Sequence, residues 1–421
     1  VLPPKLTDTS DALHRPDAPL LVYVANVRVP TEKAHGLQIV QNCEALAALQ
    51  PAAPRVVLWA AARVQARALR RADVFAHYGV ARVFALRRLP TLDLLAWAGE
   101  GGRAARAAFA LQLGTYLLSL CGALLLAERG AAFYSRDERI IAVVRALRPR
   151  ARIGYEPHQH ARGRVGRFFQ RRAVRAADAV FPVTGGLADD LAPLHPGGRA
   201  AFTVLHDGIR PERFAALPTQ EAARAALGWP AERFIVGYMG RLSTMAQDKG
   251  VGTLIDAIAR ARAGGRRVAL AIVGGPDAHA ESLRKAWAAH GLPAEDFLYA
   301  GQVSPDRVPA HLAAFSACAM PLPDTPHFAR HASPLKLFEY MASGRPVLAS
   351  DLPGFREVVA DGEHALMLPP GDPAAWAAAI ARLHDSPALC ARLAAAAHTL
   401  VMTRYTWAAR ARHIADALFA R

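Results

Sequence analysis

The stretch HASPLKLFEYMASGRPVLAS, residues 331–350, decides how the chain is read. Ser333 and Pro334 make a turn, Lys336, Glu339, Tyr340 and Met341 ride on a short helix, Gly344 breaks it, and 346–349 is an apolar strand. A helix capped by serine, with proline at its first position, turns its free N–H groups and positive dipole end outward and so offers a seat to an anion. Glu339 lies far enough inside the helix to accept hydrogen bonds from a hydroxylated group attached to that anion. A phosphate at Ser333, Pro334 and Leu335 with a ribose at Glu339 would bind a nucleotide. A well-capped helix without any ligand fits the same residues.

Outward from this stretch, strands and helices alternate. Towards the N-terminus the run FIVGYMG at 234–240 is a strand, RLSTMAQDKG a loop, 251–264 a helix, and RRVALAIVGGP a strand closing on Gly274 and Gly275. Two terminal helices are expected after residue 372. The first half repeats the pattern, with strands at 20–27, from Val56, at Val83, from Ala131 and ending at Tyr155, and with helices at 37–49 and 65–78 between them. Arg136 follows the strand AAFYS, and Glu156, His158 and His160 follow Tyr155, at carboxyl ends where open α/β sheets hold ligands. The expected fold class is α/β, two Rossmann-like domains in series with a cleft between them. The expected boundaries are 1–215 for the first domain, 216–232 for a linker and 233–401 for the second domain, with a helix at about 402–421 packing back on the first.

A chain of 421 residues suits two such domains, and 51 Lys plus Arg against 35 Asp plus Glu, a formal charge of +16, implies an anionic partner. Ten arginines and one acid lie between Arg145 and Arg175. The segment 107–128 carries no charge before Glu128; a buried core helix is the first expectation, and a helix lying against a bilayer surface the second. Four scattered cysteines without a CxxC pair, and a leader without an apolar core, point to the cytoplasm. Glu156, His158 and His160 are crowded into one loop without ligand spacing, so no metal is expected there.

The segments PTEKAHGLQIVQNCEALA, YSRD, YEPH, VLHDGIRPERF, GYMGRLSTMAQDKG and SPLKLFEYMASGRPVLASDLPGFREVV together resemble the retaining nucleotide-sugar glycosyltransferases of the GT-B fold, in the bacterial family 4 group. The resemblance runs from about residue 20 to the C-terminus. It implies that Arg241 and Lys249 neutralise the donor diphosphate, that Glu339 holds the ribose hydroxyls, that Gly36 lies near the donor phosphate, and that His158 sits beside the reacting sugar; Gly274, in the glycine pair that ends a strand, is a further donor-binding candidate. It also implies a UDP- or GDP-hexose as donor substrate, no cofactor, and a glycan or lipid-linked acceptor, as in cell-surface polysaccharide or glycolipid synthesis.

One position departs from the family pattern: His331 stands where a second carboxylate, eight positions before Glu339, contacts the donor sugar. His331 itself or Asp324 would take that role, and Arg136 and Glu156 are further candidates in the first domain. The basic first domain and the apolar 107–128 segment suggest peripheral association with an anionic membrane surface on the inner face of the cytoplasmic membrane. Rival readings are a UDP-sugar epimerase of the same fold and a nucleic-acid-binding protein, although the arginine run lacks the interleaved aromatics that nucleic-acid binding would favour. A dehydrogenase is disfavoured because no GxGxxG follows the first strand.

Overall fold

LLVYVA at Leu20–Ala25 and VALAIV at Val268–Val273 are apolar at every position, so each strand must be covered on both faces. In the computed structural model each is an inner strand of a parallel sheet with helices on both sides. The structure describes residues 17–31, 33–99, 101–195, 201–244, 247–331, 333 and 335–419. They fall into two units, residues 1–205 with 407–421, and residues 206–406.

Unit 1 begins β1 (Leu20–Ala25), α1 (Ala34–Ala47), β2 (Arg55–Ala61), α2 (Val74–Tyr78), β3 (Ala85–Leu89) and α3 (Gly102–Leu125). It continues with β4 (Ala132–Ser135), α4 (Glu138–Leu147), β5 (Ile153–Tyr155), α5 (Gly163–Ala176), β6 (Ala179–Val180), α6 (Gly185–Leu191) and β7 (Ala201–Phe202). The strands lie in the order β3-β2-β1-β4-β5-β6-β7, all parallel. One face of the sheet packs on α3, α4, α5 and α6 through Tyr116, Leu120, Ile141, Val174 and Leu187. The other packs on α1, α2 and a helix from the far end of the chain.

Unit 2 opens with α7 (Gln220–Leu227), β8 (Phe234–Met239), the two-residue strands β9 (Ser243–Thr244) and β10 (Gln247–Asp248), α8 (Val251–Ala263) and β11 (Val268–Val273). Then come α9 (Asp277–Ala289), β12 (Phe297–Gly301), α10 (Val308–Ala314), β13 (Ala317–Met320), α11 (Leu335–Ala342), β14 (Val347–Ser350), α12 (Pro353–Arg356) and β15 (Leu366–Leu368). Helices α13 (Pro373–Asp385) and α14 (Pro387–Arg404) complete it, and α15 (Trp407–Phe419) belongs to unit 1. Its main sheet has the order β12-β11-β8-β13-β14-β15, again all parallel. Both sheets therefore reverse direction beside their first strand, and each unit has a topological switch point at the carboxyl ends of its strands.

Several expectations are corrected. The segment 216–232 is no linker, because it contains α7, whose Arg224 is buried and donates to the carbonyls of Ala314, Ala231 and Arg233 and to Ser316. The chain changes units at 205/206 and again at 406/407. The run 65–78 is a short turn at Arg67–Leu69 and then α2, because Asp73 caps a new start by accepting from the Ala76 N–H at 2.8 Å. Three helices, not two, follow residue 372, since Ser386 caps and Pro387 opens α14. The RLSTMAQDKG loop folds back on itself as the antiparallel pair β9 and β10. The apolar 107–128 segment forms most of α3, which buries only one stripe, Ala108, Gln112, Tyr116, Leu120 and Leu124, and leaves Leu118 and Leu125 exposed. By length and composition α3 could cross a bilayer, but that buried stripe lies along the sheet of unit 1.

Helix α15 supplies Ala411, Ile414 and Leu418 to the core beneath β1 and β4. Replacing Ile414 with Ala should destabilise unit 1 by about 2–5 kcal/mol, read as a lower urea midpoint with an unchanged slope.

Candidate functional site

In unit 1 the switch point lies between β1 and β4, and the loops that leave β4 and β5 carry Arg136, Glu156 and His158. The Glu156 carboxylate has no solvent exposure. One oxygen meets Arg136 Nη2 at 2.7 Å and His158 Nε2 at 2.6 Å, and the other meets Arg410 Nη2 at 2.7 Å and the Asn42 amide at 3.4 Å. The Tyr134 hydroxyl also donates to it. Burial by itself would raise the Glu156 pKa; Arg136 and Arg410, then His158, outweigh that and hold the carboxyl well below its usual range. Arg410 comes from α15 and also donates to the Leu205 carbonyl. Arg136 in turn reaches Gln38 Oε1 at 3.0 Å. The result is a fixed, charged shelf that orients the His158 imidazole, which is about one-quarter exposed.

Beside it, the first turn of α1 carries His35 and Gly36. Burial, then the charges of Arg136, Lys33 and His158, push the His35 pKa down to about 4, so its ring is neutral at physiological pH. Gly36 has a steric reason of its own: a Cβ there would run into Thr31 and the Tyr78 hydroxyl. That hydroxyl pins the loop, accepting from the Thr31 N–H at 2.7 Å and donating to the Thr31 carbonyl at 2.9 Å.

In unit 2 the switch point lies between β8 and β13. β8 is followed by Gly240, whose φ of 138° and lack of a Cβ leave room for the Lys336 side chain from the first turn of α11. The Tyr340 hydroxyl, one turn further along α11, accepts from the Met239 N–H at 2.8 Å and so locks the helix to the end of β8. Gly274 is equally constrained, at φ 131°, because a Cβ would enter the Gly240 backbone. Arg241 is exposed directly after Gly240. Lys249 is held by its N–H to the Leu242 carbonyl at 3.1 Å, and its ammonium sits 3.9 Å from the centre of the Phe328 ring. Burial, and then repulsion from Lys336, lower the Lys249 pKa to about 8. Lys249 and Lys336 thus lie near each other at the start of α11, and Arg241 follows the glycine against which Lys336 packs.

Glu339 lies one turn beyond Lys336, 3.8 Å from Arg213. The Ser333 hydroxyl accepts from the Asp207 N–H at 3.3 Å, and the Leu335 N–H donates to the Ser333 carbonyl at 3.0 Å. His331 ends a five-residue π-helical segment, His327–His331, and Asp324 is exposed in the loop before it. Pro334 lies outside the described residues. The sequence-derived residues thus form two sets: Gly36, Arg136, Glu156 and His158 on unit 1, and Arg241, Lys249, Gly274, Asp324, His331, Ser333, Leu335 and Glu339 on unit 2. Sequence reading missed Lys336, Arg213, Arg410 and His35. Lys336 and Arg213 lie inside quoted motifs, whereas Arg410 had no local signal. Among the described residues, no group of three His, Cys, Asp or Glu side chains is placed to hold a metal ion.

Residues 233–386 match the family of glycosyl transferases group 1. Unit 2 therefore carries a glycosyltransferase domain. Curated relatives include a D-inositol 3-phosphate glycosyltransferase of Streptomyces avermitilis, 30% identical over 54% of this chain and 49% of its own length. A 2-deoxystreptamine N-acetyl-D-glucosaminyltransferase of Streptomyces fradiae is 34% identical over 49% of this chain and 47% of its own. The chain spans about half the length of these two relatives. Among solved structures, the sucrose-phosphate synthase of Thermosynechococcus elongatus superposes with a TM-score of 0.71 at 20% identity, covering 94% of this chain and 98% of that one. HepE of Anabaena, solved with UDP, gives 0.68 at 18% identity over 96% and 100%. The fold is GT-B, built of two Rossmann-like units.

Removing one arginine from Glu156 should leave a buried charge half-compensated. Arg410→Met should destabilise the protein by about 3–5 kcal/mol at neutral pH, and adding Glu156→Gln should restore part of the loss. Because the folded carboxyl titrates below its unfolded value, its stabilisation is present at neutral pH and fades as pH falls below about 4.3. The double variant should lack that component in acid denaturation followed by circular dichroism.

Proposed function

We propose that the chain is a retaining family 4 glycosyltransferase. It moves a hexosyl group from a UDP- or GDP-sugar to a hydroxyl of a glycan or lipid-linked acceptor, in bacterial cell-surface polysaccharide or glycolipid synthesis. The observation that carries this reading is the approach of Lys249 and Lys336 at the start of α11, with Arg241 exposed directly after Gly240 and Glu339 one turn beyond Lys336. A diphosphate is the anion that suits several fixed cations, and a ribose attached to it would reach Glu339 in competition with Arg213. His331 is assigned to the donor sugar hydroxyls. On unit 1, His158 is the proposed catalytic group.

Negative charge on the departing diphosphate grows as the bond from the anomeric carbon to the phosphate oxygen breaks. Arg241, Lys249 and the amides at the start of α11 therefore stabilise the transition state more than the ground state. The acceptor hydroxyl forms its new bond on the same face, and its proton passes to the departing phosphate oxygen. Donor and acceptor balance this step by themselves, with no cofactor. The UDP bound by HepE supports a uridine donor. The relatives named for inositol 3-phosphate and 2-deoxystreptamine support a second acceptor class, a small hydroxylated ring. Four free cysteines suit the reducing cytoplasm, where we place the reaction.

A thermal-shift screen of UDP- and GDP-sugars should identify one stabilising donor, and glycosyl transfer from it should follow with the anomeric configuration kept. Free epimerised sugar without acceptor would instead indicate an epimerase. With that donor, Glu339→Ala should weaken binding by roughly 10–100-fold, and Lys249→Ala should lower kcat by about 10²–10³-fold. If neither variant changes transfer, these residues are not the site.

Lys249 also sets a pH dependence. Its charge is present below about 8 and lost above it, so nucleotide affinity measured by calorimetry should fall as pH rises through that value. The fall should be absent in Lys249→Met.

A further inference from the structure

Helices α3, α4 and α5 form one layer over the sheet of unit 1, so their outer sides make one continuous surface. That surface is not built for water. Trp97 in the loop before α3 is 71% exposed, Leu118 on α3 is 74% exposed and Phe168 on α5 is 60% exposed. Monomeric proteins seldom leave so many large apolar side chains uncovered on one side. Neither α3 nor α5 contains an acidic residue, while Arg103 and Arg106 open α3 and Arg164, Arg167, Arg171 and Arg172 stand exposed on α5.

Two grooves run through the surface. One, of about 440 Å³, lies between Trp97 and α3 and is walled by Leu94, Ala104, Ala107 and Leu111. The other, of about 400 Å³, lies between α4 and α5, with Ala142, Ala146 and Phe168 at its walls and Arg171, Arg172 and Arg175 beside them. An apolar trough edged by guanidinium groups matches an acyl chain ending in a phosphate headgroup.

We propose that this outer layer of unit 1 docks on an anionic phospholipid bilayer. The arginines of α5 meet the headgroup phosphates, while Trp97 and the exposed side of α3 enter the boundary between headgroups and acyl chains. Helix α3, about 36 Å long at 1.5 Å per residue, lies in the plane of the surface, because its Tyr116, Leu120 and Leu124 are committed to the sheet. The mixture of exposed leucines and arginines favours lipid over nucleic acid, which would take the charge but leave the apolar side uncovered. Membrane docking is independent of the proposed transfer reaction, and its test needs no donor.

Flotation of the full chain with vesicles of phosphatidylcholine alone, or mixed with phosphatidylglycerol, tests it. The protein should float with the mixed vesicles at least about tenfold more than with the neutral ones, and added salt should reduce the difference. Arg171→Glu with Arg172→Glu should abolish the preference. Trp97→Ser with Leu118→Ser should release the protein from mixed vesicles even at low salt. All four side chains are exposed, so the fold should survive, and unchanged thermal melting checks this. Trp97 is also the one strongly exposed tryptophan of the six, so brominated phosphatidylglycerol should quench emission in the wild type and not in Trp97→Ser. Three outcomes would each overturn the proposal: no flotation with either vesicle, flotation unaffected by both double variants, or a dimer in solution that Trp97→Ser dissociates. Salt-sensitive binding to duplex DNA in preference to mixed vesicles would overturn it as well.

Discussion

A carboxylate with no exposure to water, clamped between guanidiniums from Arg136 and Arg410, is the constraint on which unit 1 depends. Leaving such a charge without its partners costs more than most single contacts contribute, so the three residues must arrive together. Arg136 fixes the end of β4, Glu156 fixes the end of β5, and Arg410 brings α15 under the same sheet. The orientation of His158 follows from this arrangement. An imidazole bonded to a carboxylate that is ionised at neutral pH has one ring nitrogen committed and the other directed by that commitment.

Unit 2 is governed by close approach rather than by buried charge. Gly240 and Gly274 let two loops and the Lys336 side chain occupy space that side chains would fill. Lys249, repelled by Lys336, sits against the face of the Phe328 ring, which offsets part of that cost. Desolvated and repelled, Lys249 holds its proton less tightly than an ordinary lysine, so its charge is sensitive to any anion that comes near.

Much of this was legible in the residues. Uninterrupted apolar runs such as LLVYVA announce strands buried on both faces, and their alternation with helices announces a parallel sheet. The motifs around Gly36, Arg241, Lys249 and Glu339 fall at loops leaving the switch points because that is where a parallel sheet exposes its strand ends. What stayed hidden depends on contacts far apart in sequence. Nothing near Arg410 says that it meets Glu156, and an alanine-rich segment such as 216–232 looks like a connector until the buried Arg224 is seen donating to four acceptors. The periodicity of α3 was masked because its buried and exposed stripes are both apolar, so composition could not tell which side faced the core.

The return of α15 to unit 1 also has a bearing on how the chain is made. Residues 206–406 form an uninterrupted stretch and can close their core as soon as they have been synthesised. Unit 1 begins first and finishes last, for its sheet waits through some two hundred further residues before Ile414, Leu418 and the second arginine for Glu156 leave the ribosome. Until then the nascent chain carries a half-compensated carboxylate and a sheet face that α1 and α2 cover only in part. In the order of synthesis, the glycosyltransferase domain is complete before the unit that precedes it.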